Sequence, residues 1–498
     1  MPSRTSRFTI SAALAAILLT LPLTGGPRLV CAAGAAEEKP AASEPGSTTQ
    51  RDQTDLSVTV YNSNLALVRD IRQIRVQSGV FPLRFEDVAA NIMPQTVHFR
   101  SLTDAAKLGV LEQNYEYDLL DQNSLLRKFL GRDLLVTRGE LQPDGKVKPV
   151  VSKGTLISDN NGQTVWKIGD EIVTNAQPYS YPNVPADLYS HPTLIWTLEN
   201  RGADAQKVEA SYLTGNMNWS ADYVLTVSRD EKSADLDGWV TLVNNSGVAY
   251  NNARLQLVAG NVHREALAGA LQNYEARDMV VAAAKAAPFE QENFSEYHLY
   301  TLERRTSIQN SETKQISLLS GTNIPVEKYL SVEGQQYWFR NPQGIGNPIP
   351  QPVKVFYRFR NDQKSNLGMP LPAGTVRVYQ ADSKGALQFS GENAITHTPK
   401  DEDVRIYVGD AFDVVCERKA MDYRKIASNV AEFEYQVALR NHKDGPVIVE
   451  VREPVGGDWE VVNSNYKWTK LDASTLSFSI PVEKNSSATL DYRVRVKW

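Results

Sequence analysis

One proline-rich segment, 177–192, concentrates side chains that could bind a ligand. It carries Tyr179, Tyr181, Tyr189 and His191 between several prolines. Aromatic rings held by a rigid loop lose little conformational entropy on binding and offer flat faces on which sugar rings can stack. The segment therefore predicts a ligand-binding site, and the alternative is that these tyrosines cover a junction between domains.

Side chains that commonly carry catalysis are scattered along the chain. No two histidines stand at the close spacing that zinc sites favour, and they occur at His98, His191, His263, His298, His397 and His442. The sequence contains no Gly-x-Ser-x-Gly nucleophile turn and no glycine-rich phosphate loop followed by Lys-Ser or Lys-Thr. No catalytic residue, metal site or cofactor is predicted.

Carboxylate chemistry stays open as an alternative, because the two acids of a glycosidase can be distant in sequence. The local candidates are Asp235 with Asp237, and the run 401–403. Both fit solvated turns better than an active site. The sequence favours a non-enzymatic role, with an exported hydrolase acting on glycans or peptides through dispersed carboxylates as the rival.

The elements that must position these residues are mainly strands. Apolar and polar residues alternate over Leu56–Val60, Leu194–Leu198, Phe433–Leu439 and Leu490–Val496. Strands this short, separated by turn residues, favour tandem antiparallel β-sandwich-like domains. One short helix is predicted near 118–131, and an Ala-rich helical or flexible insertion near 264–287.

The chain divides by composition into five segments. We expect a signal peptide over 1–33, because Arg4 and Arg7 precede a short apolar run that ends in glycine and proline. A flexible linker follows over 34–54, because that stretch lacks apolar periodicity. The remainder is predicted to form an N-terminal β-rich domain over 55–200 and two β-sandwich domains over 201–370 and 371–498.

Charge and cysteine content restrict the partners. Loss of a leader with three arginines and no acid would take the formal charge from −5 to −8, which disfavours nucleic acid. Membrane contact is expected only through the signal peptide before its cleavage. Removing the leader would also leave Cys416 as the single thiol, so no disulfide framework is predicted. Its apolar strand context predicts a small buried side chain.

The last three hundred residues or so resemble a family of exported bacterial proteins known as domain of unknown function 4139, related to proteins described as mucoidy-inhibitor-A-like. The similar segments are Ser211–Leu213, Trp219, Asp222–Tyr223, Gly238–Gly247, Asn251–Ala253, Leu255–Leu257, Pro370–Tyr379 and Asp410–Val414. Trp219 and Tyr223 have the character of core anchors. The resemblance implies a place in the cell envelope, and it supplies no active-site residues.

Together these features predict an exported protein of the periplasm or cell surface. We expect a binding or structural role toward an unidentified envelope polymer or envelope protein, with a link to surface polysaccharide or envelope assembly. A contiguous apolar patch or an open sheet edge would favour an assembly role. A pocket lined by two converging acids would favour the hydrolase.

Overall fold

The structure is a computed structural model that describes residues 46–498 apart from 117, 142, 161, 186, 261, 263–288, 295 and 341–343. The predicted leader, 1–33, and the Ala-rich insertion, 264–287, lie outside the described residues. Among the residues that are described, strands predominate, which confirms the mainly β prediction. None of the described helices is both long and apolar enough to cross a membrane.

Up to residue 200 the described chain forms short strands and one α-helix. The strands are β1 (Ser47–Thr48), β2 (Gln53–Tyr61), β3 (Leu65–Arg75), β4 (Gly79–Phe85), β5 (His98–Ser101), β6 (Leu108–Glu116), β7 (Asp133–Leu141), β8 (Val147–Asn160), β9 (Gln163–Ile168), β10 (Glu171–Thr174), β11 (Tyr179–Ser180) and β12 (Thr193–Asn200). The helix is α1 (Gln122–Lys128). Two 3-10 turns cover Gln50–Asp52 and Pro94–Thr96.

The described part of the chain after residue 200 contains strands and two further 3-10 turns. Its first strands are β13 (Ala205–Gly215), β14 (Met217–Val227), β15 (Ser233–Asn244), β16 (Tyr250–Ala259), β17 (Phe289–Phe294), β18 (Tyr297–Leu302), β19 (Thr306–Ile308), β20 (Glu312–Pro325) and β21 (Glu327–Glu333). The last are β22 (Pro348–Gln351), β23 (Lys354–Arg360), β24 (Gly374–Ala381), β25 (Leu387–Ile395), β26 (Asp403–Asp410), β27 (Val414–Ala427), β28 (Val430–Asn441), β29 (Val447–Pro454), β30 (Asp458–Ser464), β31 (Trp468–Lys470), β32 (Thr475–Val482) and β33 (Ser486–Lys497). The 3-10 turns are Gln336–Phe339 and Gln363–Ser365.

These strands assemble into separate sheets. Their orders are β1-β4-β12-β6; β10-β9-β8-β7-β11; β17-β18-β16-β2-β3-β13-β5, with β19 beside β16; β20-β15-β14-β24-β25; β26-β23-β21-β29-β32-β31; and β22-β27-β28-β33-β30. Most neighbours are antiparallel, as predicted, but β1–β4, β2–β16, β14–β24 and β21–β29 pair in parallel. The chain between each parallel pair is long, as parallel connections require.

Three clusters of buried apolar side chains lie under these sheets. The largest runs from Leu56 to Ile406 and draws on strands from both sides of residue 200. A second cluster, between Leu330 and Val496, fills the C-terminal sandwich. The third is small and lies between Leu126 and Ala176. The segments predicted as N-terminal and central domains thus contribute to one core. The boundary predicted at residue 370 falls within both of the two larger clusters.

The fold begins inside the segment predicted to be a linker. Thr48 is fully buried and pairs with Phe85 through β1. Thr49 and Asp52 form a capping box around the first 3-10 turn. Residues 47–54 therefore belong to the folded region. Capping and strand pairing hold this stretch, and since it is polar it shows no apolar periodicity in the sequence.

The predicted helix near 118–131 is present as α1, and it is shorter than its leucine pattern suggested. Asp121 caps it by accepting a hydrogen bond from the Ser124 backbone N–H at 2.7 Å. Leu126 is completely buried against the small core. Gly131 follows with φ +76°, a conformation that favours glycine.

Gly374 permits the close parallel pairing of β14 and β24. It lies opposite Ala221, and a methyl group on Gly374 would overlap the Ala221 carbonyl oxygen. We expect Gly374→Ala to lower the free energy of unfolding by about 1–3 kcal/mol, because the strands must separate. Urea unfolding measures this, with Gly109→Ala as the control, since a methyl there meets nothing within 4 Å. Equal stability of the two variants would contradict the expectation.

Candidate functional site

The small core supports a compact unit, residues 122–180, hereafter the small unit. Its sheet alternates buried and exposed positions, so that Leu134, Val136, Leu156 and Trp166 face the core. Leu126 of α1 lies in the same core, together with Phe129, which caps the helix. This arrangement fixes the position of the proline-rich segment that follows β10.

A row of aromatic rings connects that segment to the small core. The Tyr181 ring lies 5.1 Å from Phe129 and 5.8 Å from Tyr179, and Tyr179 lies 5.1 Å from Trp166. Tyr179 also accepts a hydrogen bond from the Gln122 side chain at 3.0 Å. Two of the four predicted ligand-binding residues are therefore held in fixed orientations by packing.

A cleft opens beside Tyr181, with a volume of about 270 Å³. It is lined by Asp133, Leu134, Leu135, Lys153, Ser180, Tyr181 and Pro182. The Tyr181 hydroxyl is enclosed and has no hydrogen-bond partner among the described residues. Desolvation, with Tyr179 adding to it, raises the pKa of Tyr181 well above its usual range. The hydroxyl therefore stays protonated, and it can both donate and accept.

The other two predicted residues lie away from this cleft. The backbone of Tyr189 exchanges hydrogen bonds with Asp118 and Leu120, which ties the loop to the start of α1. His191 is exposed, and its Nδ1 lies 3.8 Å from a carboxylate oxygen of Asp87. The structure thus brings together Tyr179 and Tyr181 but neither Tyr189 nor His191, and ligand binding by any of the four stays a prediction.

Sequence patterns did not reveal the polar residues of the cleft. Asp133 and Lys153 come from β7 and β8, where Leu135 pairs with Lys153 and with Ser180 on opposite sides. The Asp133 carboxylate accepts a hydrogen bond from the Thr155 hydroxyl at 2.7 Å. These groups come together because β7 pairs with both β8 and β11. A hairpin predicted over 133–160 would have been the way to identify them from the sequence.

Lys128 fastens the proline-rich segment to α1. Its ammonium lies 2.8 Å from Asp118 and 2.7 Å from Asp187, and its hydrogen bonds hold the pKa of both carboxyls below the usual value of 3.8. A depressed carboxyl pKa gives stability that is present above the unfolded pKa and lost as pH falls through the folded one. We expect the segment to loosen only below about pH 4.

Tyrosine fluorescence and proteolysis of the segment as a function of pH test this expectation. Lys128→Gln should remove the acid transition while leaving the neutral-pH fold in place, because both carboxyls would then titrate near their ordinary pKa. Lys384→Gln is the control, since Lys384 is exposed and forms no ion pair within the described part of the chain. An unchanged pH profile in Lys128→Gln would contradict the assignment.

A second cleft, of about 300 Å³, is lined by Arg254, Glu290, Thr301, Leu302, Glu303, Arg304 and Arg305. None of the candidate residues named from the sequence lines it. Among the described residues no three His, Cys, Asp or Glu side chains come together as metal ligands. Asp235 and Asp237 lie on β15 and accept hydrogen bonds from Asn323 and Ser320. Cys416 is fully buried, as predicted, and burial raises the pKa of its thiol to about 12. That thiol is therefore unreactive at neutral pH.

One ion pair is completely enclosed by the C-terminal sandwich. The Arg418 guanidinium donates to the Glu453 carboxylate and to the Tyr492 hydroxyl, and it lies 4.6 Å from the Trp338 ring centre. Neither charged side chain is more than 2% exposed. Burial raises the pKa of Glu453, and Arg418 offsets part of this effect. The pair has no opening to solvent, so we assign it to the fold and not to a site.

Fold and cleft together define a mainly β protein with a cleft of about 270 Å³ on a small unit and no group of three metal-ligating side chains among its described residues. Residues 208–498 match the profile of a family described as Domain of unknown function (DUF4139), and the chain belongs to that family. No curated protein matches the chain. The match begins within β13, so it covers the C-terminal sandwich and leaves the cleft outside.

Proposed function

We propose that this chain is an exported envelope protein that binds a hydroxyl-rich polymer, such as a surface glycan, in the cleft beside Tyr181. The observation that carries the proposal is the cleft lining, which combines the Tyr181 side chain with the polar side chains of Asp133, Lys153 and Ser180. An aromatic ring beside a few fixed polar groups suits the hydroxyl-rich surface of a sugar.

The cleft lining suits a neutral polyol. Asp133 can accept hydrogen bonds from vicinal hydroxyls, while Lys153 and Ser180 can donate to ring and hydroxyl oxygens. Leu135, which is 48% exposed, adds an apolar contact. Small-molecule sites commonly combine such a surface with a few fixed polar groups. The predicted export and the resemblance to envelope proteins support a glycan as the polymer.

The hydrolase alternative has less support. Glycoside hydrolysis needs two carboxyl groups facing each other across the substrate. Of the residues that line the cleft, Asp133 alone carries a carboxyl group. The cleft beside Tyr181 therefore favours binding without cleavage.

Ser180→Ala tests the proposal with the smallest change. It removes one hydroxyl from the cleft lining, so we expect about 2- to 10-fold weaker glycan binding. Thermal stability should stay nearly the same, because Ser180 is exposed. The measurement is calorimetry or affinity electrophoresis of the mature protein against purified envelope polysaccharides.

Tyr189→Phe is the matched control, because Tyr189 lies in the same segment and does not line the cleft. It should bind like the unchanged protein. If both variants weaken binding equally, or if no envelope polysaccharide is retained, the proposal fails. Export is tested separately by fractionating cells that produce the full chain.

A further inference from the structure

Two tyrosines of the largest core hold the segment 370–373, which lies in one of the family-like stretches of the sequence. The Tyr300 hydroxyl donates to the Pro370 carbonyl at 3.0 Å, and the Tyr223 hydroxyl donates to the Pro372 carbonyl at 2.8 Å. Both tyrosines are completely buried. The core side of the segment is therefore fixed by hydrogen bonds that water does not reach.

A histidine holds the same segment through its backbone. The Nδ1 atom of His397 accepts a hydrogen bond from the Ala373 backbone N–H at 3.1 Å, and the neighbouring Thr398 exchanges backbone hydrogen bonds with Leu371. A backbone N–H can only donate, so Nδ1 is the unprotonated nitrogen of the neutral ring and Nε2 carries the hydrogen. Nε2 faces the Asn62 side-chain amide at 3.5 Å. The neutral ring thus joins the segment to the turn between β2 and β3.

Protonation of His397 would break the contact with Ala373. An imidazolium ring carries a hydrogen on both nitrogens, so Nδ1 could no longer accept from the Ala373 N–H. Two donors would then face each other, and the backbone group would need another acceptor. The segment must move away from the ring to find one.

A second histidine opposes the charged form of His397. His298 lies on β18, which pairs with β16, and β16 pairs in turn with the end of β2 that precedes Asn62. Burial, with the field of His298 added to it, lowers the pKa of His397 below its ordinary value of 6.5. Asn62 and the residues 370–373 carry no charge. No carboxylate of these two elements therefore offsets the repulsion between the histidines.

We propose that His397 is an acid-sensitive switch, which holds the segment 370–373 on the core at neutral pH and releases it on acidification. Gly374 follows directly and pairs with Ala221, so release also reaches the parallel pairing of β24 with β14. A group whose folded pKa is lowered contributes stability that is complete above its unfolded pKa and is lost as pH falls towards the folded one. The segment should therefore loosen progressively below about pH 6.5.

Hydrogen–deuterium exchange of the protein at about pH 7.5 and about pH 5 tests the proposal, with protection corrected for the intrinsic exchange rate at each pH. We expect the protection of residues 373–378 to fall about 3- to 10-fold at the lower pH, because the loss of one hydrogen bond shifts a local opening equilibrium by roughly that factor. Strand β28, which lies in the C-terminal core, should keep its protection.

His397→Gln removes the titrating group, so the protection of residues 373–378 should be the same at both pH values, whatever its level. His442→Gln is the matched control, because His442 is also exposed and follows the end of β28 in the C-terminal sandwich. It should show the same fall as the unchanged protein. The proposal is overturned if the unchanged protein shows no fall, if His397→Gln retains it, or if His442→Gln abolishes it.

Discussion

Glu453→Gln is expected to lower the free energy of unfolding by about 3–5 kcal/mol, because it leaves the Arg418 guanidinium buried without a counter-charge. Arg418 and Glu453 are enclosed by the C-terminal sandwich, and the Tyr492 hydroxyl also accepts a hydrogen bond from the guanidinium. Water cannot replace the lost carboxylate in such a place. Chemical denaturation of the protein, followed by far-ultraviolet circular dichroism, measures the loss.

Glu460→Gln is the matched control. Glu460 also pairs with an arginine, Arg495, at 2.5 Å, but its side chain is 61% exposed. Exposed pairs contribute about 0–1 kcal/mol, so this variant should unfold almost like the parent protein. A similar loss of stability in both variants would mean that burial does not make the Arg418–Glu453 pair more stabilising than an exposed pair.

Replacing both charges tests the cause more directly. The double change Arg418→Met with Glu453→Leu removes both desolvated charges, and apolar replacements of buried ion pairs are often neutral or stabilising. We therefore expect the double variant to recover most of the stability that Glu453→Gln loses. Failure of this recovery would indicate that the hydrogen bond to Tyr492, or contact with Trp338, is the stabilising part.

Trp166→Ala is expected to unfold the small unit while the larger cores stay intact. Trp166 is completely buried, and it links the small core to Tyr179, the neighbour of Tyr181. Truncating a buried tryptophan typically costs about 3–5 kcal/mol. The small core has only eight buried residues, so this loss is a large share of what holds the unit together.

Limited proteolysis and near-ultraviolet circular dichroism measure the effect. We expect new cleavage within 122–180 and loss of glycan binding, while the fragment that begins at about β12 stays resistant. Trp468→Ala is the control, because Trp468 is 43% exposed and its removal should cost less than about 1 kcal/mol. An unchanged proteolytic pattern in Trp166→Ala would show that contacts with the rest of the fold, and not the small core, hold the small unit together.

The proposed glycan cleft belongs to the small unit, outside the family match. The matched region, 208–498, contributes the C-terminal sandwich and most of the shared core.

Individual strands were predictable because their burial follows a local rule. Phe433, Tyr435, Val437 and Leu439 alternate with polar residues, and β28 buries all four. A strand has a period of two, so one buried face is visible in the sequence without knowledge of its partner. The same reasoning placed Trp219 and Tyr223 in the core, which the structure confirms.

Contacts between distant segments were not predictable in this way. Arg493 and Arg495 alternate with the apolar residues of β33, but only the register with β28 sets them opposite Glu434 and Glu432. The predicted loop tyrosines illustrate the same limit. Their rigidity could be inferred from the prolines, whereas their partners across β7 and α1 could not.

The sequence by itself determined the strand-rich fold class, the short helix, the buried Cys416 and the family, because each depends on local pattern or on direct likeness. The tertiary structure alone decided the shared core, the enclosed Arg418–Glu453 pair, and the cleft lined by Asp133 and Lys153. Each of these depends on which strands pair across long stretches of chain. That choice is made by the combined packing of whole sheets, and no short window of sequence contains it.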